Sequence, residues 1–137
     1  VFIEDAKSRF DEKWPIEYRV HDMLAGPVNE RFDGVFCCDV LEHIEPKDED
    51  VFVGNLQKSL GPDGCAIIGS PSLESQVHAS PPSKEGHVNC KTAKEMKALM
   101  SKYFRNVFIF SMNDEVVHTG FYPMAHYLFA LCSNPRL

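Results

Sequence analysis

Phe32-Asp-Gly-Val-Phe-Cys-Cys-Asp-Val-Leu-Glu-His-Ile44 is the stretch that decides how the chain is read. The apolar run at residues 35–38 predicts a buried strand, and Asp39 ends it and hands over to Val40-Leu41-Glu42-His43. Further on, Leu60-Gly-Pro-Asp-Gly-Cys-Ala-Ile-Ile-Gly69 predicts a tight turn at residues 61–64 feeding a second strand at residues 65–69. That second strand is too apolar to be half-exposed, which is how a parallel strand covered on both faces reads.

The flanking sequence supplies the helices. Lys47 to Leu60 carries Phe52, Leu56 and Leu60 on one helical face. Thr92-Ala-Lys-Glu95 is a capping box, and Met96, Leu99, Met100 and Tyr103 continue it as an apolar stripe. Phe2, Ala6 and Phe10 predict a short amphipathic helix, which Trp14-Pro15 ends because the residue before proline avoids the helical region. Residues 16–20 alternate apolar and polar side chains and predict a strand that stops at His21-Asp22-Met23. Two more strands are expected at residues 106–110 and 126–132. Residues 70–89, rich in Ser, Pro, Gly and His, show no period and predict a long loop of the kind that serves function. Alternating strands and helices followed by a strand pair mean an α/β sheet with an antiparallel end.

A chain of 137 residues with 44% hydrophobic and 25% charged residues holds one core and one domain. Its net charge of −6 argues against a nucleic-acid grip, which needs clustered Lys and Arg. No apolar run approaches a membrane span, so no membrane partner is expected. The five cysteines (37, 38, 65, 90 and 132) form no C-x-x-C pair and read as reduced thiols of a cytoplasmic protein, with Cys37, Cys38, Cys65 and Cys132 in apolar strand patterns. G-x-S-x-G, H-E-x-x-H and P-loop signatures are absent, which removes serine-hydrolase, zinc-protease and nucleoside-triphosphatase readings.

The segment around Asp39 and the turn-plus-strand at residues 60–69 together resemble the fourth and fifth strands of class I S-adenosylmethionine-dependent methyltransferases. The resemblance implies a Rossmann-like α/β fold: a mostly parallel sheet with an antiparallel C-terminal strand pair. It covers nearly all of the chain but only the later part of the family's domain. The first strand, the glycine-rich loop and the second strand have no counterpart, and no G-x-G occurs. With Val1 rather than Met at its start, the chain reads as a single partial domain over residues 1–137. The missing strands would leave a sheet edge uncovered, which invites a homo-oligomer. The alternative function is then a truncated, non-catalytic fragment that associates with another chain.

The same resemblance assigns roles. Asp22 would accept a hydrogen bond from the adenine amino group of S-adenosylmethionine, with the Met23 backbone beside it; an Asp after a strand is equally a turn residue. Asp39 and Val40 would line the methionine portion, at the carboxyl end of a strand where open α/β sheets bind ligands; Asp39 is equally a helix cap. Asp39, Glu42 and His43 make D-x-x-E-H, which on a helical turn shares one face. It is similar to E-x-x-E-H in ubiquinone-pathway O-methyltransferases and small-RNA 2′-O-methyltransferases, where a later His completes a metal site. Here that residue would be His87, giving Asp39, Glu42, His43 and His87 as ligands for a divalent ion such as Mg²⁺. Without metal, Glu42 and His43 shape the pocket, and His43 and His87 are the candidate catalytic residues, His43 as general base. Residues 70–89 would form a lid over the acceptor, a small molecule methylated on a hydroxyl.

Overall fold

The computed structural model describes residues 2–9, 11, 13–114 and 116–136. Its elements are α1 (Phe2–Ser8), β1 (Phe32–Cys38), a 3-10 turn (Leu41–His43), α2 (Glu49–Lys58) and β2 (Leu60–Pro71). A second 3-10 turn (Glu74–His78), α3 (Pro81–Gly86), α4 (Ala93–Ser101), β3 (Phe104–Asn113) and β4 (Val116–His118) follow. A short 3-10 turn (Tyr122–Met124) leads into the last strand, β5 (Tyr127–Pro135).

The sheet order is β1-β2-β5-β3-β4. β1 and β2 are parallel, and β5 is antiparallel to both β2 and β3, so β1, β2 and β3 run the same way with β5 reversed between them. The antiparallel C-terminal pairing read from the sequence is therefore present, and a short antiparallel β4 extends β3. The expected turn at residues 61–64 is a bulge inside β2: Phe32 faces Leu60, and the next partners are Gly34 and Cys65. Gly64 allows it, because a Cβ there would lie 2.9 Å from the Leu60 side chain and 3.0 Å from the Gly61 carbonyl oxygen.

Side chains alternate across the strands. Cys37, Ala66, Ile68, Leu128, Ala130, Cys132, Val107 and Ile109 belong to the core, together with Phe52, Val53 and Leu56 of α2 and Met96, Leu99 and Met100 of α4. The capping box of α4 forms as read, with Thr92 Oγ1 accepting from Glu95 N–H and the Glu95 carboxylate accepting from Thr92 N–H. The other sheet face is open. Phe36, Ile67, Leu131 and Phe108 stand in register across four strands, and Phe36 is 80% exposed. The expectation of strands covered on both faces fails, because no element among the described residues lies over this side. Exposed Cys65 corrects the expectation of a buried thiol for the same reason, whereas burial pushes the Cys37 and Cys132 thiols up to about 12.

Two other expectations change, and a third is met in part. Residues 16–20 are not a strand, and Val20 is 81% exposed; alternation alone cannot hold a strand that has no neighbour to pair with. Residues 70–89 are not an irregular loop: Pro81-Pro82 opens α3, and Ser80 caps it. The helical stripe of Phe2, Ala6 and Phe10 is met by α1 as a helix, but Phe10 lies outside the described residues, as does the side chain of Phe2.

Leu41 is fully buried in the turn that follows β1 and pins that turn to the core. Leu41→Ala is expected to cost about 2–5 kcal/mol in urea unfolding, the range for a buried Leu that leaves a cavity.

Candidate functional site

The carboxyl end of β1 builds the site. The Asp39 N–H continues the ladder by donating to Gly69 O at 3.1 Å, and then the chain turns away with Asp39 in the left-handed region at φ 56°. Asp tolerates that region better than most residues. Val40 is exposed, Leu41 plugs the core, Glu42 is 1% exposed and His43 faces outward.

The segment at 72–89 closes against this turn. Asn89 N–H donates to Glu42 O at 3.0 Å, and the Asn89 amide donates to Glu49 at 3.0 Å. His43 Nδ1 donates to Gly86 O at 2.8 Å, since a carbonyl can only accept. His87 Nδ1 donates to Gln76 Oε1 at 2.8 Å, and the Gln76 amide is oriented by its own donation to Ser72 O at 3.1 Å. Both Nδ1 atoms thus carry the ring proton, which leaves both Nε2 atoms as acceptors. The two rings meet edge to face, with centroids 5.2 Å apart. His43 Nε2 lies 3.9 Å from Glu42 Oε1.

One ligand atom each from Glu42, His43 and His87 lies within 4.8 Å of the others. Glu42 Oε2 is buried without a hydrogen-bond partner. Burial is the main cause that pushes the Glu42 carboxyl up; the Asp39 charge adds to it, and the two histidines oppose it. A carboxylate and two Nε2 lone pairs are all acceptors, so the cluster calls for a proton or a cation between them. The donor set suits a transition-metal ion better than Mg²⁺, which prefers oxygen ligands.

The sequence pattern is only partly realised here. Glu42, His43 and His87 come together, but Asp39 stands outside the cluster. The i, i+3 logic assumed an α-helix from Asp39 onward, whereas the left-handed residue precedes a 3-10 turn of only Leu41–His43. For the same reason Asp39 is not the cap of that turn. Asp22 sits in a turn, its Oδ1 accepting from Leu24 N–H at 2.9 Å, and Met23 O accepts from the Asn55 amide at 2.7 Å, which ties this turn to α2. His78 and His126 flank His87 along a cavity of about 310 Å³ that Ser75, Gln76 and Ser83 also line. Gln76, and Tyr127 whose hydroxyl accepts the Asp39 N–H at 3.2 Å across Gly69, were not read from the sequence. Gly69 was the available signal, since a glycine inside an apolar strand marks a close approach.

Residues 1–68 match the methyltransferase-domain family. No curated protein sequence matches the chain. Among solved structures, the chain is similar to the N-methyltransferase NodS from Bradyrhizobium japonicum WM9 in complex with S-adenosyl-L-homocysteine. The TM-score is 0.61 at 20% identity, covering 96% of this chain and 59% of that one. Human N-acetylserotonin methyltransferase in complex with SAM gives 0.64 at 14% identity, covering 96% and 37%. Small RNA methyltransferase HEN1 gives 0.63 at 17% identity, covering 83% and 15%. The chain thus spans under two thirds of the length of each. At these identities the likeness shows the fold.

The cluster carries a pH signature. In the unfolded chain Glu42 ionises near its ordinary 4.5, while the folded site holds the proton to higher pH, so its ionisation lowers stability as pH rises from about 4.5 through the raised folded value. Glu42→Gln removes that cost. The variant is expected to gain on the wild type in urea unfolding at pH 7.5 and to lose that gain below pH 4.5; a pH-independent difference would contradict the assignment.

Proposed function

We propose that this chain takes part in methyl transfer from S-adenosylmethionine to a hydroxyl of a small-molecule acceptor, a reading supported by the match of residues 1–68 to the methyltransferase-domain family and by the similar fold of solved methyltransferases. The observation that carries the reading is the meeting of Glu42, His43 and His87 at the carboxyl end of β1, beside Asp39 and Val40. Asp39 and Val40, both exposed there, would wall the methionine portion of the cofactor, and the exposed Asp22 carboxylate, with Met23, its adenine. The sulfonium supplies an electrophilic methyl group, so the protein's part is alignment and proton removal. His43 Nε2, free because Nδ1 is spent on Gly86 O, takes the acceptor's hydroxyl proton as the O–C bond forms and the S–C bond breaks. His87 stands edge-on to that ring and holds it in place. The net charge of −6 favours a small acceptor over RNA, although an RNA methyltransferase shares the fold.

A divalent cation is a second reading, favoured by a buried Glu42 carboxyl with one unpartnered oxygen, Oε2, grouped with His43 and His87. Glu42, His43 and His87 would hold it, and it would supply Lewis-acid polarisation of the acceptor hydroxyl. Their Nδ1–H bonds to carbonyl oxygens are the outer contacts that orient metal-binding histidines.

Two measurements test these readings. Calorimetric titration of the chain with S-adenosylhomocysteine is expected to show micromolar binding. Absence of heat from a folded sample would favour the non-catalytic alternative, a fragment that associates with another chain. Where binding is seen, His43→Ala is expected to leave it unchanged and to lower transfer by about 10²–10⁴-fold. For the cation, Mn²⁺ or Zn²⁺ is expected to raise the melting temperature of the wild type by several degrees and to leave His43→Ala and His87→Ala unmoved; equal shifts in all three would remove the metal reading.

A further inference from the structure

Tyr127 opens β5, two strands away from β1 in the sheet, yet its hydroxyl reaches the end of β1 and accepts the Asp39 N–H at 3.2 Å. The reach crosses β2 at Gly69, and it needs a bare backbone there. A Cβ on Gly69 would lie 2.7 Å from Tyr127 Cε1, 2.8 Å from its hydroxyl and 2.9 Å from Phe129 Cε1. Phe129 braces the ring from the same strand, with centroids 4.9 Å apart. The Asp39 N–H is therefore shared between Gly69 O and the tyrosine hydroxyl, at a residue whose φ of 56° puts it in the left-handed region. Non-glycine residues persist in that region when their surroundings hold them there. The hydroxyl stays protonated at neutral pH, because burial and the neighbouring Asp39 charge push its ionisation up.

The geometry points to Tyr127 as a positioning residue that, lying across Gly69, clasps Asp39 in its left-handed conformation and so sets the wall against the methionine portion of the cofactor. This rests on the cofactor reading above and adds a residue to it. The clasp acts at the point where the ladder ends and the site turn begins. It needs all three partners: a hydroxyl on β5, a missing side chain on β2 and the Asp39 amide at the end of β1. A phenylalanine at position 127 would keep the ring packing and lose only the hydroxyl.

The test compares Tyr127→Phe, Gly69→Ala and the control Phe129→Leu, which trims the neighbouring ring but keeps the hydroxyl. Amide hydrogen exchange at Asp39, read by NMR on the full chain without ligand, is expected to speed up several-fold in Tyr127→Phe and Gly69→Ala and to stay near wild type in Phe129→Leu. Affinity for S-adenosylhomocysteine is expected to fall roughly 3- to 10-fold in Tyr127→Phe, the effect of one lost hydrogen bond, while affinity for 5′-methylthioadenosine, which lacks the amino-acid end, stays unchanged. Unchanged exchange at Asp39, or equal loss for both ligands, overturns the clasp. If the folded wild-type chain binds neither ligand, the cofactor reading fails, and the exchange measurement alone decides whether Tyr127 holds Asp39.

Discussion

The reversal of the chain after β1 is the constraint on which the site depends. The parallel ladder with β2 carries the backbone as far as the Asp39 N–H, and Leu41 two residues later has no exposed surface at all. Between a hydrogen-bonded strand end and a side chain fixed in the core, the backbone has little freedom, and it crosses the gap with one left-handed residue and a single 3-10 turn. That short turn decides which way the next side chains go. Glu42 is carried inward and His43 outward, and the carbonyl of Glu42 is left to receive Asn89 N–H from the closing segment. Burying a carboxyl this way costs stability, and the cluster is where the fold carries that cost.

Elements fixed by short-range signals were legible. β1 as a strand and the capping box of α4 follow from local pattern and side-chain chemistry, although β1 buries only Cys37 where the sequence predicted a buried strand. Residues 16–20 were not legible as non-strand, because an alternating pattern states only what a strand would bury, not whether a neighbour is there to pair with it. D-x-x-E-H was half legible. The spacing assumed 3.6 residues per turn from Asp39, and one residue at φ 56° was enough to take Asp39 out of the group while Glu42 and His43 remained in it. His87 could be proposed only through a family resemblance, since its place beside His43 depends on contacts that cross the whole 72–89 segment, from Gln76 to Gly86. Tyr127 was out of reach for the same reason: 88 residues separate it from Asp39, and only the sheet order brings them together.

The His43 cluster and the His21–Met23 turn are held unequally. On the His43 side, hydrogen bonds run from Asn89 N–H to Glu42 O, from the Asn89 amide to Glu49, from His43 to Gly86, from His87 to Gln76 and from Ser72 to Ala125, and a half-buried Lys91–Glu49 ion pair at 2.6 Å joins them. The His21–Met23 turn, by contrast, is tied to the rest by Asn55 at Met23 O and by Met23 packing on the core, and most of the described residues before it stand exposed. Hydrogen bonding therefore concentrates around the Glu42–His43–His87 cluster. The open sheet face with its Phe36–Ile67–Leu131–Phe108 row, and the unpaired edge of β1, lie outside that ordered part. The Glu42–His43–His87 side is thus fixed within this chain by its own packing, and the His21–Met23 turn is the less constrained.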